Sequence, residues 1–166
     1  MQKDHYPSQD SARRAKAVLQ RLCDTDRKIA TAESCTGGLV AALLTDIEGC
    51  SHAFERGFVS YTDRAKQEVL GVECRLLAEQ GAVSQAVAIA MAEGALSRSG
   101  ADIAVSTTGF AGPAGEEDEE GLVHFALAQL GRNTVHRVRS FGPIGRDLIR
   151  QRSLETILDM LEETLT

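Results

Sequence analysis

The chain has 166 residues, of which 43% are hydrophobic and 25% charged, a balance typical of one globular domain spanning residues 1–166. Its formal net charge of −6 argues against binding to nucleic acid or to an anionic membrane, because both partners are polyanions. A small anionic ligand held in one local pocket stays compatible with this charge.

The distribution of cysteine argues against a metal site and against a disulfide framework. The four cysteines contain no CxxC pair and do not group with the four histidines; they are Cys23, Cys35, Cys50 and Cys74. The chain also shows no apolar leader and no run approaching about 18 apolar residues. We therefore expect a cytoplasmic protein with reduced thiols.

Helical and extended patterns alternate along the first half of the chain. Apolar residues at helical spacing predict a first helix from Ser8 to about Leu22, with Ser8 as its N-cap. The elements predicted next are a strand over 28–32, a buried helix over 37–44, a strand over 56–61, and a short helix that Thr62 or Asp63 caps and Gly71 ends.

The second half is predicted to add a buried helix, three strands and a final helix. The helix runs from Ser84 to Ser97 and is ended by Gly100, and the last helix begins at about Arg146. The strands cover 102–106, 121–130 and 134–141, the last two forming a hairpin around 131–133. Because helices and strands first alternate and a hairpin follows, we expect an α/β fold: one mixed sheet covered by helices on both faces.

The segment TAESCTGG at 31–38 joins a predicted strand to a predicted helix. Backbone N–H groups at a helix start are free, and the helix dipole favours an anion there. Ser34 and Thr36 place hydroxyl groups beside these donors, so the segment suits a phosphate site or an oxyanion hole around a serine nucleophile. A simple helix cap by Ser34 or Thr36 explains the pattern about equally well.

A serine nucleophile needs a base, and the histidines fall in predicted loops and strands, which leaves Lys66 as the candidate. The start of a helix disfavours a positive charge, and burial would add to this effect, so both would lower the pKa of Lys66 toward the value that a general base needs. The simpler alternative is an exposed helix lysine. Tyr61, at the end of a strand, is either a core aromatic or a hydroxyl directed into the site.

Two further segments carry candidate ligand contacts. Thr108, in the loop after the third strand, is expected to emerge at a sheet edge and bond a ligand, the alternative being a glycine turn. Arg146, at the start of the last helix, suits a phosphate, the alternative being a surface arginine. The acidic run at 116–120 is interpreted as a solvated loop.

Taken together, these segments resemble one family. TAESCTGG at 31–38, FERGFVSYTDRAKQEVLGV at 54–72, GAVSQ at 81–85, TTGFAGPAG at 107–115 and the Gly-Arg pair at 145–146 are similar to the C-terminal domain of the competence/damage-inducible protein CinA. A chain of this length resembles the stand-alone nicotinamide-nucleotide amidases of that family. The resemblance implies a three-layer α/β/α fold, commonly a homodimer, that hydrolyses nicotinamide mononucleotide to nicotinic acid mononucleotide and ammonia for pyridine nucleotide recycling, with no metal or cofactor.

The resemblance also implies roles for individual residues. Ser34 is the expected nucleophile, Lys66 matches the lysine that assists it, and Tyr61 matches the tyrosine of the same catalytic segment. The expected substrate-binding residues are Thr36, Gly37, Gly38, Thr108, Gly109 and Arg146. The first three belong to the turn after Ser34, whose amides would hold an oxyanion. Cys35 is the rival nucleophile.

Two departures from the family pattern leave a second function open. The loop after 112–115 is short and acidic, EEDEEG, where family members have a longer stretch with glycines and Lys-Pro. GPIGR at 142–146 replaces the more usual PGDR-type segment. The alternative is therefore a catalytically inactive module of the CinA type that binds a nucleotide or a protein.

Overall fold

The computed structural model describes residues 7–113, 115 and 118–166, so that Glu116 and Glu117 of the predicted acidic run lie outside the described residues. The helices within the described part are α1 (Gln9–Asp24), α2 (Leu39–Thr45), α3 (Asp63–Leu70), α4 (Cys74–Gln80), α5 (Gln85–Ser97) and α6 (Arg146–Leu165). The strands are β1 (Ile29–Glu33), β2 (Phe54–Val59), β3 (Ile103–Gly109), β4 (Leu122–Gln129) and β5 (Val135–Ser140).

One mixed sheet with the strand order β2-β1-β3-β4-β5 organises the molecule. β1 pairs in parallel with β2 and with β3, whereas β4 pairs antiparallel with β3 and β5. Parallel neighbours require crossover connections, which α2 supplies between β1 and β2, and α3, α4 and α5 supply between β2 and β3. The predicted α/β class with a mixed sheet is confirmed.

Helices cover both faces of this sheet, and the side chains on the two faces differ in size. Branched and aromatic residues such as Ile29, Val105 and Phe125 face the layer that contains α1, α2 and α6. The opposite face presents alanines, including Ala30 and Ala104, to the layer that contains α5. Within the described residues, no helix has both the length and the apolarity that crossing a bilayer requires.

Three helix starts are fixed by side-chain caps, of which the sequence predicted those of α1 and α3. The hydroxyl groups of Ser8, Thr62 and Ser84 accept hydrogen bonds from backbone N–H groups in the first turns of α1, α3 and α5, respectively. Thr62, rather than Asp63, is therefore the cap of α3. Gly71 ends this helix with a φ of 70°, a left-handed conformation that glycine adopts without a steric penalty.

Other predicted boundaries are wrong by a few residues, and one helix was missed. The helix predicted from residue 37 begins at Leu39, because Gly37 and Gly38 have φ values of 61° and 97°. β3 continues beyond Ser106 to Gly109, so Thr108 lies in this strand and not in the loop after it, because pairing with β4 extends the strand. α5 is capped by Arg98 before Gly100 is reached. α4 was not predicted, since seven residues with one buried side chain provide no helical apolar stripe.

Gly94 in α5 is predicted to be essential for the packing of this helix against α3. A Cβ atom at Gly94 would collide with the backbone carbonyl oxygen of Leu70, so we expect Gly94→Ala to lower the free energy of unfolding by about 1–3 kcal/mol. In an unobstructed helix the same change would raise it by up to about 1 kcal/mol.

The matched control for this substitution is Gly100→Ala. At Gly100 the nearest atom to an added Cβ lies 3.8 Å away, so the free energy of unfolding should stay within about 0.5 kcal/mol of the wild-type value. Both values come from urea denaturation. Equal stability of the two variants would contradict the packing argument.

Candidate active site

The candidate site lies where the carboxyl ends of the parallel strands meet, which is the usual place for a site in an α/β sheet. Ser34 directly follows β1, and Ser60 directly follows β2. The amide of Ser34 donates to the carbonyl of Thr107 in β3 at 3.1 Å, and the amide of Ser60 donates to the carbonyl of Glu33 at 2.8 Å. The sheet hydrogen bonding thus continues past the strand ends and holds the Glu33–Ser34 segment between β2 and β3.

Lys66 reaches this position from the first turn of α3. Its Nζ lies 3.1 Å from the Oγ of Ser34, 3.0 Å from the carbonyl oxygen of Ser60 and 3.4 Å from that of Tyr61. Only 1% of the residue is exposed. The alternative of an exposed helix lysine is therefore wrong, and the predicted pairing of Lys66 with Ser34 is present in the structure.

Burial lowers the pKa of Lys66 from its usual value, and the nearby carboxylate of Asp63 opposes this shift in part. A neutral lysine amine has two N–H groups and one lone pair. Since the carbonyls of Ser60 and Tyr61 accept the two N–H groups, the lone pair is left for the hydroxyl of Ser34. This arrangement is able to take the proton of Ser34 as the hydroxyl attacks a substrate.

The turn after Ser34 differs from the sequence prediction. The carboxylate of Glu33 accepts hydrogen bonds from the amides of Gly38 at 3.0 Å, Val40 at 3.0 Å and Ala41 at 2.8 Å. The prediction that the N–H groups at the start of α2 are free is therefore wrong, because a carboxylate of the chain itself occupies this position. The amide of Gly37 is also used, since it donates to the carbonyl of Ser34 at 3.0 Å.

Thr36 is likewise engaged within the protein. Its hydroxyl bonds to that of Thr107 at 2.8 Å, and its carbonyl accepts from Nη2 of Arg150 at 2.7 Å. In the described part of the chain, neither the amide of Cys35 nor that of Thr36 donates a backbone hydrogen bond. The donors that this turn can offer to an oxyanion are thus these two amides, not those of the two glycines that follow.

A cavity of about 180 Å³ opens above the Ser34–Lys66 pair. It brings together six of the nine residues predicted for the site, namely Ser34, Tyr61, Lys66, Thr108, Gly109 and Arg146. The other three, Thr36, Gly37 and Gly38, are not among the described residues that line it. Phe110, which was not predicted as a site residue, lines both this cavity and a second one of about 500 Å³.

The rim of the cavity carries Tyr61 and Arg146. Nη2 of Arg146 donates to the phenolic oxygen of Tyr61 at 3.4 Å, and 63% of Tyr61 is exposed. The phenol of Tyr61 therefore contacts Arg146 instead of Lys66, and it is the backbone carbonyl of Tyr61 that holds the amine. The hydroxyl of Thr108 donates to the carbonyl of Ala82 at 2.7 Å, which leaves its oxygen able to accept from a ligand.

Cys35 also borders the cavity, but its environment keeps the thiol protonated. Burial raises the pKa of Cys35 to about 11, and only 4% of the residue is exposed. Because the thiolate is the reactive form, a thiol with this pKa is a poor nucleophile near neutral pH. The raised pKa of Cys35 and the contact between Lys66 and Ser34 therefore favour Ser34 over Cys35 as the nucleophile.

Comparison with known proteins assigns the chain to a family. Residues 11–165 match the family model described as the CinA C-terminal domain. The chain belongs to the CinA C-terminal domain family.

Relatives of this CinA C-terminal domain differ in length. A CinA-like protein of Akkermansia muciniphila is 48% identical over 149 residues, which are 87% of this chain but 36% of that protein. The nicotinamide-nucleotide amidohydrolase PncC of Escherichia coli is 45% identical over 146 residues, which cover 87% of this chain and 88% of PncC. The crystal structure of the competence/damage inducible protein CihA from Agrobacterium tumefaciens has a TM-score of 0.90 at 44% identity, with 93% and 94% of the two chains covered.

Two charged residues of this CinA C-terminal domain were missed by the sequence analysis. Glu33 is the last residue of β1, directly before Ser34, and a carboxylate at the end of a short strand was a usable signal in the sequence. Arg150 follows Arg146 by four residues and therefore lies on the same face of α6. Its bond to Thr36 is a tertiary contact across 114 positions of sequence, which no local pattern reveals.

The lowered pKa of Lys66 predicts a pH-dependent stability of this CinA C-terminal domain. The unfolded chain keeps a proton on Lys66 up to its usual value of 10.5, whereas the folded state loses it at lower pH. Between these two values the unfolded state binds more protons, so the free energy of unfolding rises with pH. Lys66→Met should remove this rise.

Urea denaturation from about pH 6 to about pH 10 measures this effect in the wild type, in Lys66→Met and in Lys16→Met, an exposed control on α1. The control should follow the wild-type profile, while Lys66→Met should give a flatter one. A Lys66→Met profile parallel to the wild-type profile would contradict the lowered pKa.

Proposed function

We propose that this protein hydrolyses the carboxamide of nicotinamide mononucleotide to nicotinic acid mononucleotide and ammonia, with Ser34 as nucleophile and Lys66 as general base. The observation that carries the proposal is the buried amine of Lys66, 3.1 Å from the Oγ of Ser34 at the base of a cavity. The 45% identity to the nicotinamide-nucleotide amidohydrolase PncC of Escherichia coli supports the choice of substrate.

The first step is attack of Ser34 on the carboxamide carbon. Neutral Lys66 accepts the hydroxyl proton as the new C–O bond forms, and the carbonyl oxygen becomes an oxyanion. The amides of Cys35 and Thr36 are the donors available to this oxyanion, and each well-placed donor contributes about 3 kcal/mol to transition-state stabilisation.

The second step releases ammonia and then the acid. The ammonium of Lys66 returns its proton to the departing nitrogen as the C–N bond breaks, which leaves an acyl-serine. Lys66, neutral again, takes a proton from water as that water attacks the acyl group, and the proton then returns to Ser34. The residues of the chain supply every proton transfer, so this scheme needs neither a metal nor a cofactor.

Charge around the two cavities supports one orientation of the substrate. Arg146 provides a positive charge at the rim of the first cavity, while Asp118 and Glu119 line the second. A phosphate is attracted by the arginine and repelled by the carboxylates. We therefore place the carboxamide at Ser34 and the ribose phosphate at Arg146, with Thr108 as a further contact.

The resemblance also implies a homodimer in the cytoplasm, and both stay predictions. Val59, Tyr61, Ile144 and Leu148 are exposed apolar or aromatic side chains on β2, on α6 and in the segments beside them. Apolar area exposed to water favours association, so these side chains are candidates for a contact with a second copy of the chain.

Ser34→Ala is predicted to abolish ammonia release from nicotinamide mononucleotide, with a loss of about 10³-fold or more, because the covalent step has no other nucleophile. Cys35→Ala should retain activity within about tenfold, since its thiol is protonated. Ammonia is measured with purified protein, and circular dichroism confirms folding of both variants.

The reverse result, an inactive Cys35→Ala and an active Ser34→Ala, would exchange the two roles. A folded wild-type protein that releases no ammonia between about pH 6 and pH 9 would favour the inactive nucleotide- or protein-binding module instead.

Arg146→Ala is predicted to raise KM for nicotinamide mononucleotide about tenfold or more, because a charge-assisted hydrogen bond to the phosphate is lost. The control is Arg152→Ala on the same helix, where the arginine is exposed and paired with Glu155. This control should leave KM unchanged.

Nicotinamide riboside, which lacks the phosphate, provides the second comparison. For this substrate, wild type and Arg146→Ala should have the same kcat/KM, because the riboside has no phosphate with which Arg146 could interact. A similar loss with both substrates would show that Arg146 does not bind the phosphate.

A further inference from the structure

Glu33 is a charged residue buried beneath the turn that carries Ser34. Only 1% of the residue is exposed, and it is not among the described residues that line the cavity. Its two carboxylate oxygens accept three backbone N–H groups, those of Gly38, Val40 and Ala41. A carboxylate in such a place is costly to bury unless it is fully hydrogen-bonded, so its contacts define one arrangement of the chain.

These bonds connect the end of β1 to the start of α2 through one side chain. The backbone of Glu33 is held in the sheet, since its carbonyl accepts from the amide of Ser60 at 2.8 Å. The side chain of Glu33 holds the amides of α2. The turn at 34–38 is therefore anchored at both of its ends by one residue that directly precedes the nucleophile.

Arg150 holds the middle of the same turn. Its Nη2 donates to the carbonyl of Thr36 at 2.7 Å, which sets the orientation of the peptide between Thr36 and Gly37. A Cβ on Gly37 would lie 3.0 Å from Nη2 of Arg150, so glycine allows this close approach.

We propose that Glu33 is a positioning residue of this active site. Its carboxylate fixes the turn so that the Oγ of Ser34 faces Lys66 and the amides of Cys35 and Thr36 face the developing oxyanion, and Arg150 holds the same turn from α6. The inference rests on the proposed function, since it assigns a role within that same site.

The consequence for catalysis is a change in kcat without a change in KM. The oxyanion exists only along the reaction, so the placement of its donors affects the transition state more than the bound substrate. A displacement of about 1 Å at a reacting group is able to cost on the order of 10²-fold in rate. The carboxylate of Glu33 bonds to the start of α2 and not to Arg146 or Thr108, so substrate binding should stay unchanged.

Glu33→Gln tests this proposal with little change of volume. The amide nitrogen of glutamine is a donor, so it opposes a backbone N–H group where a carboxylate oxygen accepted one. We expect kcat for nicotinamide mononucleotide to fall on the order of 10²-fold with KM unchanged. The matched control is Glu163→Gln, an exposed glutamate on α6 paired with Arg137, which should keep wild-type kinetics.

A fluorophosphonate probe adds a measurement that does not depend on the identity of the substrate. The probe forms a P–O bond with an activated serine and releases fluoride, and its phosphonyl oxygen needs the same donors as an oxyanion. Labelling of Ser34 should be slower in Glu33→Gln by a factor similar to the loss in kcat, and normal in Glu163→Gln. Active-site concentration is corrected for the folded fraction.

The outcomes separate the two proposals. A folded Glu33→Gln protein with wild-type kcat and labelling rate per folded molecule overturns the positioning role alone. A wild-type protein that neither releases ammonia nor reacts with the probe overturns the proposed function, and the positioning role with it. If Glu33→Gln does not fold, Arg150→Met is measured in its place, and unchanged kcat in that variant overturns the proposal.

Discussion

A lysine amine kept out of water beside a serine hydroxyl is the interaction on which the rest of this site depends. Burial of Lys66 opposes its charged form, and two backbone carbonyls direct the amine toward Ser34. Neither effect exists on an isolated helix, because both require the ends of β1 and β2 to meet over α3. The chemistry of the site is therefore a product of the sheet topology.

Hydrogen bonds within the protein support the turn beneath the site, and they satisfy most of the polar groups of this turn. The carboxylate of Glu33 satisfies the start of α2, Arg150 holds the carbonyl of Thr36, and the hydroxyls of Thr36 and Thr107 bond to each other. A helix start that already holds an internal carboxylate is unsuited to a phosphate. Of the two arginines near the site, Arg150 is engaged by the carbonyl of Thr36, and Arg146 lines the cavity at its rim.

Local physics accounts for most of the predictions that are correct. The hydroxyls that cap α1 and α3 act within three residues of themselves, and the alternation of helices and strands reflects the burial of each element. Gly71 ends α3 for an equally local reason, its positive φ. α4 was not predicted, because its seven residues bury only Leu77 and therefore show no apolar periodicity. Packing against neighbouring helices stabilises it.

The sequence by itself determined the fold class, most element types, and the pairing of a serine after β1 with a lysine in α3, the last through its family resemblance. Only the tertiary structure decided that Lys66 is buried, that the phenol of Tyr61 contacts Arg146, and that the carboxylate of Glu33 accepts a hydrogen bond from the amide of Gly38. The first set depends on periodicity, on caps and on family motifs, which can be read from neighbouring residues. The second depends on desolvation and on hydrogen bonds between side chains and backbone that converge only when the strands have paired.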